Sequence, residues 1–141
     1  MNILRISIVT IASFITLTAI GGGLAILVGA DEFPLEWLSG TPFKDYTIPA
    51  LILIFIVGGS ALITAIAAIR ALTQHPIQSP AAAIAGLIMS GHIVVEVSIL
   101  KQVPPGPTWI EGVYFSLGCL LLLLGLWQWK SEHQKQSEAN D

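Results

Sequence analysis

The chain is poor in charge: of its 141 residues, six are lysine or arginine and nine are aspartate or glutamate. That is 11% charged against 54% hydrophobic, where a soluble domain carries about 25% charged residues. A chain this short buries only part of its surface, so a water-soluble fold has nowhere to put so much apolar area. The net charge of −3 leaves no basic stripe for a nucleic acid. There is one cysteine, Cys119, inside an apolar run. It has no intrachain partner and no CxxC neighbour, so neither a disulfide framework nor dithiol redox chemistry is available. Its setting is that of a buried filler and not of an activated thiolate. HExxH, a serine nucleophile elbow, paired carboxylates in one segment and an aspartate-rich lipid-phosphate motif are all absent. These absences lean away from an enzyme, and nothing calls for a metal or cofactor.

What the chain has is long uncharged runs, with a mean hydropathy of +0.79. A hydrocarbon core about 30 Å thick takes roughly 20 helical residues. Four segments meet that length, at about 6–29, 47–71, 80–100 and 109–129. The expected fold is therefore all-α: a polytopic membrane protein, a four-transmembrane-helix bundle formed by a single domain over 1–130. A short polar tail, 131–141, follows and is expected to fray. Pro49 fits the first turn of the second span. Ser79-Pro80 reads as cap and first residue of the third. Thr108 and Glu111 have capping-box spacing at the start of the fourth. Val28-Gly29-Ala30 would suit a signal peptidase, but the apolar run before it is longer than the usual 7–15 residues of a signal peptide, so the first span is read as retained.

Arg5, Arg70, Lys130 and Lys135 fall on one side of the four spans, and Lys44 and Lys101 on the other. By the positive-inside rule both termini are expected in the cytoplasm. Trp37, Tyr46 and Trp109 then mark the outer interface, and Trp127 and Trp129 the inner one. The longest connection, Asp31–Tyr46, holds Phe33-Pro34-Leu35-Glu36-Trp37-Leu38, a turn or two of helix stopped by Gly40, read as a surface anchor.

In lipid, helices associate through close packing and interhelical hydrogen bonds. Small residues mark the expected contacts: Ser60, Thr64 and Ala68 on the second span; Ala82, Gly86 and Ser90 on the third; Gly118 and Gly125 on the fourth. Gly22, within the Gly21-Gly22-Gly23 triplet, and Gly58 are expected to let backbones approach. The triplet is no phosphate loop, because it follows no strand and lacks the Lys-Ser/Thr pair.

One constellation has chemical potential. Glu96 is the acidic residue well inside a span, and His92 precedes it by four, one turn away on the same face. An intramembrane carboxylate is costly and is paired, protonated or reached by water. The pair is read either as a functional site (a proton relay or ligand contact) or as a structural clasp to another helix, with Tyr114 and Ser116 the candidate partners. Two ligands are too few for a metal, and a lone intramembrane histidine, with His75 and His133 outside the spans, offers no axial pair for haem.

The stretch Leu38-Ser39-Gly40-Thr41-Pro42-Phe43-Lys44-Asp45-Tyr46 leading into Ile48-Pro49-Ala50-Leu51-Ile52, with Gly91-His92-Ile93-Val94-Val95-Glu96, resembles a group of small, uncharacterised bacterial four-helix membrane proteins. The resemblance implies the fold and carries no activity. Small multidrug exporters share the size, but their glutamate is in the first helix, where this chain has none. DoxX-like proteins share the helix count without a residue-by-residue match. The expectation is a non-enzymatic accessory or interaction subunit, packed in the lipid bilayer with itself as a homo-oligomer or with a membrane protein partner. The alternative is a small carrier or proton-coupled transporter using Glu96 and His92.

Overall fold

The computed structural model describes residues 2–30, 33–73, 80–102, 105 and 107–140. They form four long helices: α1 (Asn2–Leu27), α2 (Thr47–Thr73), α3 (Ala81–Ile99) and α4 (Trp109–Asn140). All four contain stretches long and apolar enough to cross a membrane. Phe14, Leu17, Phe55, Ile63, Leu87 and Leu123 stand exposed on their outer faces. In water so much exposed apolar surface would drive association; in lipid it is the solvated face.

Local chemistry explains where the helices start and stop. α1 ends where Gly29 takes a positive φ of 72°. The Gly29 N–H donates to the Ile26 carbonyl (3.2 Å) and the Ala30 N–H to that of Ala25 (2.8 Å), a Schellman stop. The Val28-Gly29-Ala30 stretch is thus a helix terminus. α2 begins beneath Asp45, whose carboxylate accepts the Thr47 N–H at 2.9 Å. α3 starts at Ala81, with Pro80 just before it and not in the first helical position; Ser79, expected to cap it, lies outside the described residues. α4 opens with the capping box: the Thr108 N–H donates to Glu111 Oε2 at 2.5 Å, and the Glu111 N–H to Thr108 Oγ1 at 3.4 Å.

The largest departure from expectation is the C-terminal segment. The tail expected to fray is helical to Asn140. From Lys130 to Ala139 the sequence has neither Gly nor Pro and is rich in Lys, Glu and Gln, which are good helix formers. At 1.5 Å per residue, 32 residues span about 48 Å, so the last turns extend beyond a 30 Å hydrocarbon layer. A second departure is inside α2, where Leu53–Gly58 winds as a π-helix.

The bundle consists of two hairpins, α1–α2 and α3–α4. Within each, glycines bring backbones together. A methyl group on Gly86 would meet the Gly118 carbonyl at 2.6 Å and Leu122 Cα at 2.8 Å; one on Gly125 would meet the Ala82 carbonyl carbon at 2.7 Å. Ala82, Gly86 and Ser90 therefore lie along the α4 seam. In the other hairpin Gly23, and not Gly22, is the close approach: its missing methyl would meet Ala50 O at 2.9 Å, whereas Gly22 has only Leu53 at 3.9 Å. A methyl group on Gly58 would meet Ile20 Cγ1 at 2.7 Å. Between the hairpins lies a core of Ile8, Ile15, Val57, Ala61, Met89, Ile93 and Leu121. The described connecting residues Phe33 to Tyr46 and Leu100 to Gln102 lie at one end of the bundle (the loop end), where the Lys101 N–H meets the Trp37 carbonyl; Arg5 and Glu132 meet at the other (the terminal end).

Candidate functional site

At the loop end, α3 carries His92 and Glu96 one turn apart, as helical spacing requires. His92 Nε2 is 3.8 Å from Glu96 Oε2, and the two side chains are 21% and 34% exposed. Three residues separate Glu96 from the last residue of α3, placing it about 5 Å below the helix end, with His92 about 6 Å deeper. Among the described residues neither side chain makes a hydrogen bond, and the separation between them exceeds hydrogen-bond range. Glu111 of α4 is close enough to act on Glu96 electrostatically. Burial, and secondarily the charge of Glu96, holds the Tyr46 phenol above its ordinary range.

The two candidate partners are engaged elsewhere. Tyr114 stacks on Phe14 of α1, with ring centroids 6.2 Å apart and planes 21° from parallel. The exposed Ser116 hydroxyl donates back to the Gly112 carbonyl of its own helix at 2.8 Å. No hydrogen bond joins either residue to His92 or Glu96, so the intramolecular clasp is not made through them.

Glu111 presents the opposite case. It is 7% exposed, yet its carboxylate accepts the Thr108 N–H and, at 2.6 Å, a proton of the Gln102 amide. It is a capping group with its hydrogen bonds met. Above it the long connection folds on itself: Phe33 packs on Trp37 and Tyr46 at 6.1 and 5.6 Å, and the Tyr46 hydroxyl donates to Pro34 O at 3.0 Å. Leu35–Leu38 forms a single 3-10 turn, and Gly40 follows with φ of 93°. The Lys101 N–H donates to the Trp37 carbonyl at 2.9 Å, tying this aromatic cap to the end of α3.

A second polar group at the terminal end went unseen in the sequence. Arg5 Nη1 donates to the Ala71 carbonyl at 2.8 Å and Nη2 to Glu132 Oε1 at 3.2 Å; Gln128 Nε2 donates to the same oxygen at 3.0 Å. The ion-pair side chains are only 8% and 4% exposed. Sequence reading used Arg5 as an orientation marker and placed Glu132 in a frayed tail. The available signal was the Gln128–Glu132 spacing, one turn apart on a continuous helix. Beside this group a cavity of about 10 Å³ is lined by Ile8, Thr64, Ala68, Ala71, Ala82 and Gln128, about the least that admits one water. Among the described residues no three His, Cys, Asp or Glu side chains gather into a group that could hold a metal ion.

No family model matches this chain, and comparison with curated proteins and with solved structures gives no match either.

Proposed function

We propose that the protein is a non-enzymatic interaction subunit of a bacterial inner membrane, with both termini cytoplasmic, which binds a second copy or another membrane protein through the loop end of α3. The observation that carries this reading is the unmet hydrogen-bonding capacity of Glu96 and His92. Both are partly exposed on a helix long and apolar enough to cross a membrane. A polar group in that position is stabilised by hydrogen bonds from a neighbouring helix. The partners expected from within the chain, Tyr114 and Ser116, are turned to Phe14 and Gly112.

A second reading, a small proton-coupled carrier, draws on the same carboxylate, since an intramembrane glutamate reached by water can exchange protons. One experiment separates the two. Native mass spectrometry of gently extracted protein is compared for wild type, Glu96→Leu and Glu96→Gln, and the same proteins are assayed for proton-driven flux in liposomes. The interaction reading expects an assembled species that Glu96→Leu disperses, that Glu96→Gln retains through its amide, and no flux from any variant. Assembly unaffected by Glu96→Leu, with flux abolished by Glu96→Gln, would establish the carrier instead.

A further inference from the structure

Each hairpin is closed along its length by glycine contacts, whereas packing between the hairpins is thinner. Helix-to-helix polar links across that thinner boundary gather at the terminal end. Arg5 lies in one hairpin and Glu132 in the other, 3.2 Å apart. Arg5 is also held by the Ala71 carbonyl of its own hairpin, and Glu132 by Gln128 of its own. One to two turns deeper, the Thr64 hydroxyl shares its proton between Ser60 O at 2.9 Å and, across the boundary, Ala81 O at 3.0 Å. Among the described residues, the bond that crosses at the loop end is the backbone contact between Lys101 and Trp37, in the connecting segments and not between helices. The π-helical turns of α2, Leu53–Gly58, also lie in that half of the bundle. Such turns interrupt the regular hydrogen-bond ladder and recur at functional positions.

We propose that Arg5, Gln128 and Glu132 form a charged lock about which the two hairpins pivot, so that a change in their angle opens the loop end, beside His92 and Glu96, and leaves the terminal end closed. Buried ion pairs are poor sources of net stability but costly to break singly, because the remaining charge is stranded. They therefore suit a fixed point better than a moving one. Arg5 Nε is enclosed without a hydrogen-bond partner among the described residues, so the guanidinium is held by its two Nη contacts alone. The proposal does not depend on which partner or solute, if any, occupies the loop end.

The test uses the full chain in lipid nanodiscs, with Cys119→Ser as background and spin labels on exposed positions. Ile3→Cys with Lys130→Cys reports the terminal end, and Thr47→Cys with Ile99→Cys the loop end; each pair spans the two hairpins. Pulsed EPR should give a narrower distance distribution for the terminal pair than for the loop pair. Arg5→Gln should at least double the terminal width, and the reversal Arg5→Glu with Glu132→Arg should restore it. Should Arg5→Gln fail to accumulate, Gln128→Leu removes one link without stranding a charge and should broaden the same pair to a smaller extent. A loop pair as narrow as the terminal pair overturns the pivot. A terminal width unmoved by Arg5→Gln or Gln128→Leu, or one that the reversal does not restore, overturns the lock.

Discussion

Replacing Gly86 by alanine adds one methyl group where no side chain can give way. The new carbon would lie 2.6 Å from the Gly118 carbonyl oxygen and 2.8 Å from Leu122 Cα, with Leu122 N closer still. All of these are backbone atoms of α4, and comfortable carbon contacts begin at about 3.5 Å, so the helices must part by roughly 1 Å. The parting spreads along the seam, because the space of a methyl group on Gly118 is taken by Ser90 N, 2.8 Å from where its carbon would lie, and that on Gly125 by Ala82. A gap of 0.5–1 Å forfeits about a quarter to a half of each contact's attraction, and overpacking of this kind costs about 1–3 kcal/mol. Against it stands the intrinsic gain of alanine over glycine inside a helix, about 0.5–1 kcal/mol. The net expectation is a loss of about 1–2 kcal/mol, or a roughly 5- to 30-fold shift toward the unfolded state.

Gly21→Ala is the matched control, since a methyl there meets nothing within 4 Å. Only the helix-propensity gain of about 0.5–1 kcal/mol remains. The two substitutions, chemically identical and both inside long apolar helices, should therefore differ in sign. Steric trapping in bicelles, or a denaturing-detergent titration read by tryptophan fluorescence, measures both. If Gly86→Ala proves no less stable than Gly21→Ala, the glycine seam does not govern association of α3 with α4.

Three further outcomes follow from the helix ends and the charges. Thr108→Ala removes half of the capping box and should cost about 1 kcal/mol. Amide exchange over Trp109–Glu111 should quicken about fivefold, while Thr108→Ser leaves it unchanged. At the start of α2 the Thr47 backbone N–H, and then its hydroxyl, hold the Asp45 carboxyl below its ordinary value of 3.8. Because the folded value is the lower one, the support this carboxylate gives the helix is complete above the unfolded value and fades as the pH falls through the folded one. The Thr47 amide resonance should accordingly titrate with a midpoint below 3.8; a midpoint at or above it contradicts the hydrogen bond. A reporter fused after Asp141 should be active only in the cytoplasm if Arg5, Arg70, Lys130 and Lys135 set the orientation, and periplasmic activity reverses it.

The four long apolar helices were legible because uncharged runs of about 20 residues mark them in the sequence. The capping box was legible too, since Thr108 and Glu111 act within four residues of sequence. The small-residue stripe of Ala82, Gly86 and Ser90 announced that α3 has a close neighbour but not which one; that required Gly118 and Gly125 to face it. What escaped was set by distance along the chain. Arg5 and Glu132 are 127 residues apart, and nothing local to either shows that they meet. The same blindness led to Tyr114 and Ser116 being read as partners of Glu96. Their depth was suitable, but the rotation of α4 turns Tyr114 to Phe14 and leaves Ser116 exposed. The π-turn at Leu53–Gly58 left no trace in an apolar run that any helix would accept.

Glu96 and Glu111 show why unmet hydrogen bonding, and not charge by itself, is the guide to a site here. They are the same residue type at the same end of neighbouring helices. Glu111 is the more deeply enclosed, and by burial alone it would be the stronger candidate. Its oxygens, however, accept the Thr108 amide and the Gln102 side chain, and both contacts close the start of α4. Its charge is accounted for by the fold. Glu96 is more exposed and, among the described residues, makes no hydrogen bond: His92 stands beyond hydrogen-bond distance, and Glu111 acts on it through charge alone. On the proposed reading, the contacts that Glu96 lacks are supplied by a second molecule reaching the loop end of α3. Glu111→Gln should accordingly weaken the start of α4 without altering assembly, whereas Glu96→Leu should disperse the assembly and leave the helices intact. Native mass spectra paired with amide exchange distinguish the two effects, and loss of assembly in Glu111→Gln alone would shift the site from α3 to α4.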